Sequence, residues 1–371
     1  MSLLYIHIPY CKRICSYCDF YRTAALRSLP STLDTMHREM HRRRDYLADK
    51  RIRTIYFGGG TPSLAAPEAL QRLIDTADTL WDCGHLEEVT VEANPDDITR
   101  DYVAALRRTA VDRVSLGIQS FDDRVLRLMN RRHTAAEAAD AVKRLQDAGY
   151  ENMSIDLIFG IDGFGGRVLD ESLQRAAELS VAHVSAYHLT IEPRTLFARR
   201  VEEGKMHEVG EDVSEREFGR VHDILTDAGY EHYEVSNYAM PGHRARHNSA
   251  YWTGEAYLGI GPGAHSFDGD RERCRCSSTA EEYSRGEIDF ETETLSPGQQ
   301  FDEYVMVSLR CAEGIDMAYA ESRFGSQHAA KMLAAADRWL ESGDLIADGG
   351  RLRIPPERFL ISDAVIESLF E

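Results

Sequence analysis

Short apolar runs rich in β-branched residues recur through the first half of the chain, at 3–8, 54–57, 88–92, 113–118, 153–159 and 182–189. Between them lie longer stretches whose apolar residues fall three and four apart, at 68–80, 101–108, 135–148 and 169–179. The first pattern predicts strands buried on both faces and the second predicts amphipathic helices. Their regular alternation predicts a parallel sheet with right-handed crossovers, and six units predict an α/β fold of the (β/α)6 barrel or partial-barrel type. Residues 1–240 are assigned to this barrel and residues 241–295 to a connecting region. The helical spacing resumes at 301–310, 317–324 and 329–342. Two short runs, 345–346 and 351–354, flank Asp348-Gly349-Gly350 and predict a hairpin. Residues 296–371 therefore read as a small, mainly helical C-terminal domain with a wing-like hairpin.

In parallel α/β folds the chemistry gathers where the strands end. The unusual motifs of this chain fall there. Cys11, Cys15 and Cys18 follow the first run as Cys-x3-Cys-x2-Cys, in a loop too polar for a core segment. Structural zinc closes its tetrahedron with four protein ligands and no fourth cysteine is near; three thiolates suit an iron–sulfur cluster with one iron left open. Gly58-Gly59-Gly60-Thr61-Pro62 follows the second run, where backbone can approach a ligand without Cβ obstruction. Glu92 ends the third run and could accept bonds from hydroxyls or an amine. Gln119 follows the fourth. Asp156 lies inside the fifth, where a buried carboxylate needs a partner, and Arg131 is the nearest candidate in sequence.

Composition narrows the partners. A formal charge of −19 over 371 residues argues against nucleic acid and against non-specific binding to an anionic membrane surface. The opening MSLLYIHIP has no cationic region, and no apolar run approaches the length of a membrane span. Seven cysteines with three clustered fit reduced thiols, and a cytoplasmic location is expected. Cys274 and Cys276 read as a surface-loop coincidence, and the basic run from Arg38 to Arg44 as one solvated helix face on which an acidic reductant protein could dock.

As a set, Cys11, Cys15, Cys18, the 58–62 turn, Glu92, Gln119, Arg131 and Asp156 resemble the radical S-adenosylmethionine (SAM) superfamily, in its branch of oxygen-independent coproporphyrinogen oxidases. The resemblance implies a 4Fe-4S cluster on the three cysteines and SAM chelated at the open iron. It implies Tyr5 and Tyr17 bordering the cofactor, Gly59, Gly60 and Thr61 at its methionine end, and Glu92, Gln119, Arg131 and Asp156 completing the site. Two departures matter. The decarboxylating enzymes of the branch carry a further cysteine where this chain has Phe20, and an N-terminal extension where only ten residues precede Cys11. The chain is more similar to haem chaperones of the branch, which carry the His-Asn-x-x-Tyr-Trp motif found here as His247-Asn248-Ser249-Ala250-Tyr251-Trp252.

The motif also makes physical sense by its residues. His247 offers an imidazole for haem iron, Tyr251 and Trp252 offer flat faces for a porphyrin, and Arg244 and Arg246 suit propionates. His232, His243 and His265 stay open as alternative or additional ligands. The expected function is haem capture and transfer to an apo-haemoprotein client, such as a respiratory membrane protein, with a homodimer as one assembly. The alternatives are coproporphyrinogen III decarboxylation and a radical methyl transfer that opens haem.

Overall fold

The computed structural model describes residues 1–370. All six expected strands form, as β1 (Ser2–Ile8), β2 (Ile52–Gly59), β3 (Glu88–Ala93), β4 (Arg113–Gln119), β5 (Asn152–Phe159) and β6 (His183–His188), each parallel to the next. The crossover helices Leu29–Arg42, Pro67–Leu80, Arg100–Leu106, Ala135–Asp147 and Arg167–Glu178 lie between them. Local chemistry sets their ends: Thr134 and Glu137 form a reciprocal capping box where Ala135–Asp147 begins, and proline opens Pro67–Leu80. Alternation along β1 sends Leu4, Ile6 and Ile8 into one core with Met36 and Met40 of the first helix and Leu70 and Leu73 of the second. Tyr5 and His7 take the opposite face.

The sheet does not stop at six strands. After β7 (Glu231–Glu234) and β8 (Asn237–Ala239) extend one edge, the chain crosses to the other edge. There it adds β9 (Tyr257–Ile260), β10 (His265–Phe267), β11 (Glu272–Cys276) and β12 (Phe290–Thr294). The order is β12-β11-β10-β9-β1-β2-β3-β4-β5-β6-β8-β7, with β9 parallel to β1. Residues 241–295, read from sequence as a connecting region, thus supply four strands of the main sheet.

Two sequence expectations are corrected along this added edge. Cys274 and Cys276 sit two apart on β11, both buried, instead of in a surface loop. Arg43 is buried and not solvated: its guanidinium donates to Gly259 O at 2.8 Å and Ser266 Oγ at 3.0 Å, and pairs with Glu39. Glu39 in turn accepts from Gly261 N at 2.9 Å and from the Tyr283 hydroxyl. This ion pair clamps β9 and β10 to the first crossover helix, which is why neither charge reaches water.

The C-terminal part has helices Pro297–Leu309, Met317–Phe324 and Ser326–Ser342. They pack with a small sheet of β13 (Ile315–Asp316), β14 (Ile346–Asp348) and β15 (Arg351–Arg353), in the order β13-β15-β14. Phe301, Val305 and Leu309 face its core. The hairpin expected at 345–354 is β14–β15.

Candidate functional site

Two cavities occupy the sheet face opposite the crossover helices. The first, of 390 Å³, opens where β1–β6 end. It gathers Cys11, Cys15, Cys18 and Tyr17 from the cysteine loop, Gly59, Gly60 and Thr61 after β2, Glu92 from β3, Gln119 from β4, Arg131, and Asp156 from β5. Sequence reasoning missed Arg22, Ser115, Tyr187 and His188, which also line it. For Tyr187 and His188 the end of β6 is the signal that could have found them, whereas Ser115 lies inside β4 and Arg22 in the loop after β1.

The cysteine loop is held from several sides. Cys11 N donates to Thr23 O at 2.9 Å, Ser16 N to Met129 O at 3.0 Å, and Asn130 Nδ2 to Ile14 O at 2.8 Å. Buried Asp97 accepts from Lys12 at 2.6 Å and from Ser63 at 2.9 Å, and Arg132 stands 3.3 Å away. Gly60 is required by close approach, since a Cβ there would lie 2.7 Å from Pro9 C and 2.8 Å from Tyr10 N, just before Cys11. Gln119 and Asn130 adopt φ of 72° and 61°, an uncommon conformation for residues with side chains that clusters at functional sites. Asn130 thereby turns Arg131 inward, where Nη1 lies 3.3 Å from Cys15 Sγ and Nη2 donates to Asn94 Oδ1 and Gly117 O.

No three His, Cys, Asp or Glu side chains among the described residues stand close enough to hold one metal ion. A cuboidal cluster asks for something different, because each thiolate binds its own iron and the sulfurs stay apart. The donor set fits that group: three free thiols on one pocket wall, with Thr61 Oγ1 3.5 Å from Cys11 Sγ and Arg131 on Cys15. Burial raises the Cys11 and Cys18 thiols, opposed at Cys11 by the Thr61 hydroxyl and at Cys18 by Arg22. Deprotonation on binding metal would remove that penalty.

Deeper in the pocket two carboxyls are stranded. Burial pushes Glu92 up to about 7, although Tyr56 Oη at 2.8 Å and Gly59 N at 3.1 Å donate to it. Burial raises Asp156 to about 6. Among the described residues neither makes an ion pair, so burial outweighs the groups that favour their charged forms.

Tyr5 lines the second cavity instead, and its hydroxyl meets His7 Nδ1 at 2.9 Å. That cavity measures 1180 Å³, above the usual range of about 300–1,000 Å³ for small-molecule sites. It runs between β1, β9, β10 and the C-terminal helices, with Trp252, Tyr257, Phe267 and Tyr304 among its walls. Two buried donors of residues that line it, Ser249 Oγ and Trp252 Nε1, have no partner among the described residues. Phe20, 69% exposed, borders both cavities.

Tyr251 and Trp252 reach this cavity and His247 does not. His247 lies on the short helix Arg246–Trp252, whose first N–H groups are capped by Glu88 of β3, Arg246 N at 3.0 Å and His247 N at 3.1 Å. Its ring is fully buried behind Tyr251, with Nδ1 2.7 Å from Thr54 Oγ1 and Nε2 2.9 Å from Tyr251 Oη, and it stacks on Tyr56 at 4.9 Å. Burial lowers it to about 3, so the ring is neutral. Arg244 and Arg246 border the cavity already paired, Arg244 with Glu313 and Glu231, Arg246 with Glu87. Of the other histidines named from sequence, His232 is buried against Tyr238 and Phe359, His243 lies on an exposed turn, and His265 lines the cavity.

Comparison with known proteins places this geometry in a family. Residues 5–176 match the radical SAM superfamily and residues 295–360 the HemN C-terminal domain. The chain is 35% identical over 323 residues to the heme chaperone HemW of Lactococcus lactis, covering 86% of this chain and 84% of that one. The chain belongs to the HemW family of radical SAM proteins. The Escherichia coli HemW is 37% identical over 264 residues, which is 71% of this chain and 69% of its own. The fold is that of the radical SAM coproporphyrinogen III oxidase HemN from Escherichia coli, with a TM-score of 0.83 at 21% identity over 100% of this chain and 90% of the other. The cysteine loop lies within the matched radical SAM residues. No helix among the described residues is long and apolar enough to cross a membrane.

Proposed function

We propose that this protein is a haem chaperone that carries a 4Fe-4S cluster and SAM in the smaller cavity and haem in the larger. The observation that carries this reading is the pairing of a three-thiol pocket with a separate, aromatic-walled cavity too large for an ordinary metabolite. Cys11, Cys15 and Cys18 would hold the cluster, which when bound supplies one-electron reducing power and an iron open to a chelating ligand. Glu92 and Asp156 would meet the positive groups of SAM, Gly59, Gly60 and Thr61 its methionine end, and Arg131, Gln119 and Tyr17 would border it. In the larger cavity Tyr251 and Trp252 would flank the porphyrin, and the unpartnered Ser249 and Trp252 donors suit propionate oxygens.

Clients are apo-haemoproteins, and transfer needs a cavity that can reopen. The seam between the main sheet and the C-terminal helices supplies one, because the cavity walls come from both. Phe20, where the decarboxylating relatives carry cysteine, argues for carriage over turnover of a porphyrinogen. The test is an anaerobic assay of the cluster-reconstituted protein in which haem-loaded protein is mixed with an apo-haemoprotein. Haem transfer without protoporphyrinogen formation from coproporphyrinogen III is expected. Repeated turnover of coproporphyrinogen would overturn the reading.

A further inference from the structure

Two histidines line the larger cavity, His7 and His265, and their situations differ. The His7 ring is committed, Nδ1 to Tyr5 Oη at 2.9 Å and Nε2 near Tyr21 O at 3.3 Å. His265 is exposed, and no group among the described residues hydrogen-bonds its ring.

Its direction is set by strand alternation. Ser266 is fully buried and accepts from Gly259 N at 3.0 Å and from Arg43 at 3.0 Å, so His265 and Phe267 on either side must point the other way, into the cavity. The turn before β10 brings it to the cavity rim. Gly263 there has a φ of 81°, and a Cβ on it would stand 2.8 Å from the Tyr21 ring. The buried Glu39–Arg43 clamp behind Ser266 holds this strand in place.

We propose that His265 ligates the iron of haem bound in this cavity, whereas His247 positions the wall by holding Tyr251 and the helix that carries it. This rests on the haem-chaperone reading above. An imidazole nitrogen with no competing bond is a ready iron ligand, and His247 would have to abandon two buried hydrogen bonds and pass Tyr251 to serve.

The experiment is an anaerobic titration of ferric haem into the full chain, followed by visible absorbance and electron paramagnetic resonance. Wild type, His265→Ala, His265→Gln and His85→Ala are compared, the last removing an exposed imidazole remote from the cavity lining. Loss of a metal ligand's neighbour alone costs ~10–100-fold in affinity, and His265→Ala is expected to cost no less. The imidazole-ligated spectrum should vanish in both His265 variants, return on adding free imidazole, and persist in His85→Ala. Unchanged spectrum and affinity in both His265 variants would overturn the assignment while leaving the chaperone reading standing. Absence of saturable binding by the wild type would overturn both.

Discussion

Replacing His247 by alanine tests whether this motif residue is a buried support or an exposed ligand. The ring is fully buried, and its loss orphans the hydroxyl of Thr54, itself fully buried. An unsatisfied buried hydroxyl costs about 1–3 kcal/mol. The stack on Tyr56 at 4.9 Å contributes about 0.5–1.5 kcal/mol beyond its buried area. The vacated space adds a further cavity penalty of the kind seen when buried side chains are truncated, bringing the total to about 3–5 kcal/mol. The Tyr251 hydroxyl loses its bond to Nε2 as well. At ~2–4 °C per kcal/mol for large domains, the melting temperature should fall by roughly 6–20 °C. The assay is thermal unfolding of the haem-free protein by circular dichroism, with His265→Ala alongside. The latter removes an exposed ring without hydrogen bonds and should stay within about 0.5 kcal/mol of wild type. A His247→Ala protein that melts with the wild type would refute the reasoning, because a ring that supports nothing is free to be the ligand.

Other outcomes follow from the same geometry. Glu92 and Asp156, at about 7 and about 6, bind protons more tightly folded than unfolded. Their contribution to the stability of the ligand-free protein is therefore full below the ordinary carboxylate range and is lost as pH rises through 6 to 7. Binding of cationic SAM should run the opposite way, its thermal stabilisation growing between about pH 5.5 and 8; a shift independent of pH would exclude these carboxyls as its partners. Gly60→Ala forces a Cβ against the Pro9–Tyr10 backbone, so we expect a loss of about 1–3 kcal/mol and iron content well below four per chain after reconstitution; full iron loading with unchanged melting would contradict the close approach. Arg43→Met leaves Glu39 buried without its cation and should cost about 3–5 kcal/mol by denaturant titration; a change under about 1 kcal/mol would mean the clamp is not needed.

How much of this was legible before folding can be read from particular residues. The six parallel strands were, because apolar runs and helical spacing are local properties of the chain and a buried parallel strand shows its character in its own sequence. The first cavity was legible for a related reason. Once strands are assigned their ends are known, and Cys11, Gly59, Glu92, Gln119 and Asp156 all fall at or near those ends. Which cavity Tyr5 lines was not legible, because a residue inside a strand can serve either cavity on its face, and only the neighbours decide. Arg43 and Cys274 gave no local sign of burial, since each is covered by a segment more than 200 residues away along the chain.

The sequence by itself therefore determined the six parallel strands, their crossovers and the three-thiol loop, all of which depend on short-range pattern. Tertiary structure alone decided that residues 257–294 join the sheet beside β1, that Glu88 and Thr54 hold His247 out of the cavity, and that β10 turns His265 into it. The reason is that a strand's pairing partner and the face it presents are set by register with distant segments, and a shift of one residue would exchange the buried side chain for the one facing the cavity.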